Sequence, residues 1–165
     1  MTTKGESKNQ ETRQFVVAQK QLPANFPTHL HEGCFWESLG RVVATYGYLE
    51  EVLGIAILMF TGTRKYNEED VRTAFEKWIP QLEHALYDPL GQLIPSYKKA
   101  VEEHPDAAIA NLNELIEDLK KAKQMRNILC HGSWRRPDKN GAARPFYVTP
   151  KKQYVDTAMN SSDLD

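Results

Sequence analysis

Residues 112–132 read LNELIEDLKKAKQMRNILCHG, and this stretch decides the fold. Leu112, Leu115, Ile116, Leu119, Ala122, Met125, Ile128 and Leu129 recur at three- and four-residue steps. That spacing draws one apolar stripe along an α-helix. It predicts a long helix from about Ala107 to His131, entered through a His104-Pro105-Asp106 loop and cap and stopped by Gly132. The last turns carry Arg126, Asn127 and His131, a permanent cation, an amide and an imidazole within one and a half helical turns.

Outward from there the same period returns. Phe35, Leu39, Val42, Tyr46, Leu49, Leu53, Ala56 and Phe60 predict a first helix from about Glu32 to Phe60. Trp36, Val43 and Val52 widen its stripe, and Gly62 suits the left-handed cap position. Asn67 offers an N-cap to a second helix carrying Val71, Phe75, Trp78 and Ile79, interrupted at Pro80. A third helical stretch, from about Gln81 to Glu103, is kinked or split by Pro89, Gly91 and Pro95. Beyond Gly132 the helical period stops. Ser133-Trp134-Arg135-Arg136-Pro137, the turn residues Asp138-Lys139-Asn140-Gly141 and then Phe146-Tyr147-Val148 predict a small hairpin, because Asn-Gly is a strong hairpin-turn pair. The expected fold class is all-α: a helical bundle of four or five helices with a small C-terminal β-hairpin, forming one domain over residues 31–156. Residues 1–30 are expected to be a flexible tail and loop, with Phe15-Val16-Val17 as a short strand or packing patch. Residues 157–165 are expected to be a disordered tail.

The 165 residues are 41% hydrophobic and 26% charged, the balance of a soluble globular domain with a real core. The net charge of −1 hides an asymmetry. From Lys120 to Lys152 there are ten basic residues and one acid, Asp138, so this window is +9 and the remainder is −10. Such a split fits a basic surface for nucleic acid, or lysines that solvate a helix end. Cys34 and Cys130 sit in helical patterns beside apolar residues and in no zinc spacing, so they read as buried free thiols of a reducing cytoplasm. Residues 1–11 contain no apolar signal core. The longest apolar run, Val52 to Phe60, is far short of the roughly 20 residues of a membrane span, so no membrane association is expected. His29 and His31 lack a carboxylate or thiol partner and read as a surface loop rather than a metal site. No Walker loop, nucleophile elbow or HExxH occurs, and no cofactor is implied.

Helix geometry limits which side chains near Gly132 can cooperate. Asn127 and His131, four apart, share a face with an offset of roughly 40°. Arg126 and His131, five apart, are offset by roughly 140°, but a long arginine side chain can curve across. The helix C-terminus favours a positively charged imidazole. Histidine suits proton transfer, and arginine suits the charge that builds on a phosphate during displacement. Asn127 can orient either one. A structural role is also open: Arg126 can pair with Glu50 or Glu51 on the first helix, and His131 can simply cap its own. Trp134, Phe146 and Tyr147 among Arg135, Arg136 and Arg144 offer stacking rings beside phosphate-binding cations, or else anchors that hold the hairpin to the bundle. One chain supplies one such set of groups, so a twofold dimer is the simplest way to complete a site.

Arg126, Asn127 and His131, at the end of the last long helix of an all-helical domain and followed by Gly-Ser-Trp, resemble the HEPN superfamily pattern. That pattern is Arg-x4–6-His, usually with a polar residue after the arginine. The resemblance covers about Glu32 to Gly132. It implies a homodimeric, metal-independent endoribonuclease, of a kind often found as a toxin of toxin–antitoxin or phage-defence systems, with an antitoxin or defence-complex partner. By the same resemblance His131 is the acid–base group, Arg126 the phosphate stabiliser and Asn127 a positioning residue. The 2′-hydroxyl of RNA attacks the adjacent phosphate and leaves a 2′,3′-cyclic phosphate. One branch of the family carries a tyrosine two residues after the histidine, which a nucleotidyltransferase antitoxin modifies; here that position is Ser133. Non-catalytic members also exist, so a module that binds nucleic acid, a nucleotide or a protein partner is the alternative.

Overall fold

The computed structural model describes residues 19–165 and contains four α-helices and a two-stranded antiparallel sheet, in keeping with the expected all-α bundle and hairpin. The helices are α1 (Gly33–Gly62), α2 (Val71–Tyr87), α3 (Leu90–Glu102) and α4 (Leu112–His131). The strands are β1 (Ser133–Trp134) and β2 (Pro145–Phe146), paired Ser133 to Phe146 and Trp134 to Pro145. The Phe15-Val16-Val17 segment lies outside the described residues.

Several boundaries differ from the expected ones, each for a local reason. α1 runs two residues past Phe60, and Gly62 does not adopt a left-handed conformation: Thr63, with φ −97°, is the cap. The hydroxyls of Thr61 and Thr63 donate to the carbonyls of Ile57 and Met59, at 2.7 and 2.6 Å, and finish the helix without a glycine turn. Trp78 packs over Gly62 and donates its indole N–H to Thr61 Oγ1 at 2.9 Å. α2 continues through Pro80, which sits on the exposed side, where the loss of one backbone hydrogen bond is tolerated. The break comes at Asp88-Pro89, where Asp88 is extended as the residue before proline prefers. α4 starts five residues later than expected, because Asn111 is left-handed at φ 60° and turns the chain into the helix only there. The other end of α4 is as expected, with His131 its last residue.

Two apolar clusters hold the molecule. The first joins Leu53 and Ile57 of α1, Ala85 of α2, Leu90, Leu93, Ile94 and Tyr97 of α3, and Ile116 and Leu119 of α4. A side chain at Gly54 would run into the Ala85 carbonyl, so this glycine lets α1 and α2 approach. The second cluster joins Phe35 and Leu39 at the start of α1, Ile128 and Leu129 at the end of α4, and Met159 and Leu164 near the C-terminus. Residues 157–165 are thus packed, contrary to the expected disorder. Met159 forms a backbone bridge with Ala143, and Asn160 and Asp163 close a capping box on a short 3-10 turn.

Candidate active site

The two clusters lie on opposite sides of α4. Leu119 and Ile128 are nine residues apart, a rotation of about 180° on an ideal helix. The side buried against α1 and α3 at Ile116 and Leu119 continues upward as Arg126 and Cys130, seven and eleven residues beyond Leu119. Near its C-terminus α4 is held by its other side, through Ile128 and Leu129. The Arg126 side is therefore left facing α1 with little apolar packing on it. The structure corrects the expected burial of both cysteines: Cys130 is exposed for the same reason, and Cys34, in the first turn of α1, is exposed as well. Beside Cys130 stands Tyr46, whose phenol burial pushes above its ordinary range, with the Cys130 thiol adding to that effect.

Arg126 is half-buried and meets three groups. Its Nη1 lies 3.4 Å from Asn127 Oδ1 and 3.5 Å from His131 Nε2. Its Nη2 lies 3.7 Å from Glu50 Oε1. The guanidinium does bridge the roughly 140° to the histidine side. A guanidinium carries only donors, so its approach to Nε2 needs that nitrogen to offer a lone pair. His131 itself is exposed.

Of the two candidate partners for Arg126, Glu50 makes the contact. The same Oε1 accepts the backbone N–H of Leu90 at 3.0 Å, so one carboxylate ties α1 to the first turn of α3 and to Arg126 on α4. Its side chain is one quarter exposed, as is that of Arg126. The pairing with Arg126 is one the sequence leaves open; the bond to Leu90, 40 residues away, has no local signal.

The C-terminal arm separates the other candidates by alternation. Ala143 and Pro145 are buried and Tyr147 is half-buried, while Arg144, Phe146 and Val148 are exposed. Trp134, paired with Pro145, shares the inner face and stands edge-on to Phe35 with ring centroids 4.9 Å apart. It anchors the hairpin to the bundle, and its ring is not presented to a ligand. Arg144 pairs with Asp156 at 3.1 Å. Arg135 and Arg136 are exposed, with no ion-pair partner among the described residues. Lys120 and Lys121 pair with Glu117 and Asp118 on their own helix, so the basic character of this region is carried mainly by the arm.

Arg126, Asn127 and His131 do not line the cleft of about 190 Å³ between α1, α2 and α3, which is bordered by Arg64, His84 and Lys99. They sit on an open surface. No group of three or more metal-ligating side chains occurs among the described residues. α1 is the one described helix long and apolar enough, by length and composition alone, to cross a membrane, with a mean hydropathy of 1.5 over 18 residues. It is a longer apolar element than the Val52–Phe60 run indicated. Tyr48, Val52, Ile55 and Met59 form an exposed stripe on it, turned away from the core. Comparison with protein-family models, with curated proteins and with solved structures finds no match.

Proposed function

We propose that this chain is one half of a metal-independent endoribonuclease of the HEPN type. The observation that carries this reading is the approach of Arg126 to within 3.5 Å of Nε2 of an exposed histidine at a helix end. A base that can accept a proton and a cation that can hold a phosphate then act on one phosphodiester. His131 Nε2 takes the proton of the ribose 2′-hydroxyl, and O2′ forms its bond to phosphorus. The bond from phosphorus to the 5′-oxygen breaks, and that oxygen takes a proton from a second, protonated imidazole. The products are a 2′,3′-cyclic phosphate and a 5′-hydroxyl. Arg126 stabilises the charge on the non-bridging oxygens, and Asn127, at 3.4 Å, holds the guanidinium in place.

One chain has one such histidine, so the second imidazole is assigned to a second copy. The exposed Tyr48, Val52, Ile55 and Met59 stripe is not the surface for that copy, because it lies roughly 180° round α1 from Glu50, which meets Arg126. A twofold axis beside the exposed end of α4 would bring two sets of Arg126 and His131 to one cleft.

The test is cleavage of a mixed-sequence RNA in excess EDTA. Wild type cuts and leaves cyclic phosphate ends. His131→Ala remains dimeric and loses at least about 100-fold in rate, and Arg126→Ala loses about as much. Cleavage that requires added metal, or full activity in His131→Ala, overturns the reading. The Glu50–Arg126 contact favours the second reading, a binding module without turnover, since it gives the arginine a structural partner. RNA binding that weakens with salt, without any cleavage, would select it.

A further inference from the structure

The outer face of the C-terminal arm is a ladder of exposed side chains set by strand pairing. Cross-strand partners project from the same face, and so do residues two apart. Ser133 pairs with Phe146, and Val148 forms a bridge with Tyr154. Arg135 donates its backbone N–H to Arg144. Ser133, Arg135, Arg144, Phe146, Val148 and Tyr154 therefore share one side, and all six are exposed. The Arg135 guanidinium lies 4.6 Å from the Phe146 ring centroid. The Tyr154 ring stands 5.8 Å from Phe146 on a tilt of 42°. Planar groups thus run in series along an exposed face, with Phe146 48% and Tyr154 69% exposed.

Both ends of the ladder are basic. Beyond Arg135 the chain carries Arg136 and Lys139; beyond Tyr154 the turn closed by Thr149 and Gln153 carries Lys151 and Lys152. These four have no ion-pair partner among the described residues, whereas Arg144 is satisfied by Asp156. Rings between unpaired cations match a chain that has flat apolar bases and a phosphate at every step. A protein partner for this face would need acidic residues spaced to meet both ends.

We propose that Arg135, Phe146 and Tyr154 form a stacking platform for unpaired bases, so that the substrate of the neighbouring site is single-stranded RNA. This rests on the ribonuclease reading of His131. Ser133, the partner of Phe146, is only two residues from His131, about 7 Å of extended chain. A base stacked there places its own strand beside the imidazole. A duplex keeps its bases stacked inside and offers none to the platform.

The experiment uses the full chain carrying His131→Ala, to prevent cleavage, with two labelled probes: a 12-nucleotide oligouridylate and a blunt 12-base-pair RNA duplex. Affinity is read by fluorescence anisotropy over a range of salt. Adding Phe146→Ala and Tyr154→Ala is expected to weaken oligouridylate binding about 5- to 100-fold for each base released. Duplex binding and the salt dependence should stay as they were, because no charge is removed. Phe146→Trp with Tyr154→Phe keeps the rings and should keep the affinity. Equal losses on both probes, or no loss on oligouridylate, overturn the platform. Conversion of a dimer to a monomer by the double alanine variant also overturns it, by showing that protein covers this face. Absence of binding to either RNA overturns the platform and the ribonuclease reading together. Platform-dependent binding by a wild-type chain that does not cleave overturns catalysis alone.

Discussion

The two apolar clusters differ in how they are assembled. The first is made within the bundle, from helices that follow one another in the chain, and α3 alone supplies Leu90, Leu93, Ile94, Tyr97, Ala100 and Val101. The second gathers pairs of residues from three distant places: Phe35 and Leu39, Ile128 and Leu129, Met159 and Leu164. Tyr46 packs against both and marks the seam. Arg126 and His131 sit at that seam, where α4 leaves one cluster and is gripped by the other. The difference teaches that the bundle alone positions Glu50 and Arg126, while the helix end that carries His131 is fixed jointly by the start of α1 and the terminal arm.

Removing the arm's contribution should break this division most strongly. Truncation after Asp156 deletes both Met159 and Leu164, each buried, at a cost of about 1.5–3 kcal/mol for each side chain. Thermal unfolding followed by circular dichroism should show a fall in Tm of roughly 6–20 °C. Next in size is a matched pair of core deletions. Leu129→Ala and Leu93→Ala should each cost about 2–5 kcal/mol by urea denaturation. Only Leu129→Ala should also raise hydrogen exchange at Arg135 and Ala143, whose amides are bonded within the arm. Equal exchange in the two variants would erase the distinction between the clusters.

Gly132→Ala sharpens the comparison at the junction itself. Gly132 is extended, with φ −70° and ψ 134°, so its role is not conformational freedom. An added Cβ would stand 2.5 Å from the Ile128 carbonyl oxygen and 2.7 Å from Pro145 Cβ. We expect a loss of about 1–3 kcal/mol in denaturant stability, of the size seen when a packed site is overfilled. The smallest effect is a pH dependence. Desolvation holds His31 below its ordinary value of 6.5, with the Arg135 backbone working in the opposite direction. The unfolded chain therefore takes up the proton first. The stabilising contribution is complete above pH 6.5 and is lost as pH falls through that value toward the lowered one. His31→Phe, which keeps a ring to stack on Phe35, should flatten that decline in the urea midpoint.

Much of this was legible in the chain. The periods of α1 and α4, the position of His131 at a helix end and the side-chain reach of Arg126 follow from spacing alone. Pro80 misled because a proline stops a helix only where its missing bond and its ring are confined, and here the site is exposed. Residues 157–165 misled because their composition is polar; two apolar side chains suffice when a notch beside Phe35 and Leu39 waits for them. Cys130 misled because an apolar neighbour in sequence points 100° away on a helix. Trp134 and Phe146 could have been sorted by the alternation that starts at Ala143, had the strand register been known. Glu50 was readable only as one of two partners for Arg126; its bond to Leu90, and the choice over Glu51, depend on tertiary packing.

The Glu50 contact has a consequence for the thermodynamics of any polyanion that docks here. A free cation that meets a phosphate releases condensed counterions, and this is what makes binding steeply dependent on salt. Arg126 already has a carboxylate 3.7 Å away. A phosphate arriving there exchanges one anion for another, so the step should leave little trace in the ionic-strength slope. That slope should report Arg136, Lys139, Lys151 and Lys152. The residue closest to the proposed chemistry would be nearly silent in it, and Glu50→Gln would give it a voice, steepening the slope by up to about one unit.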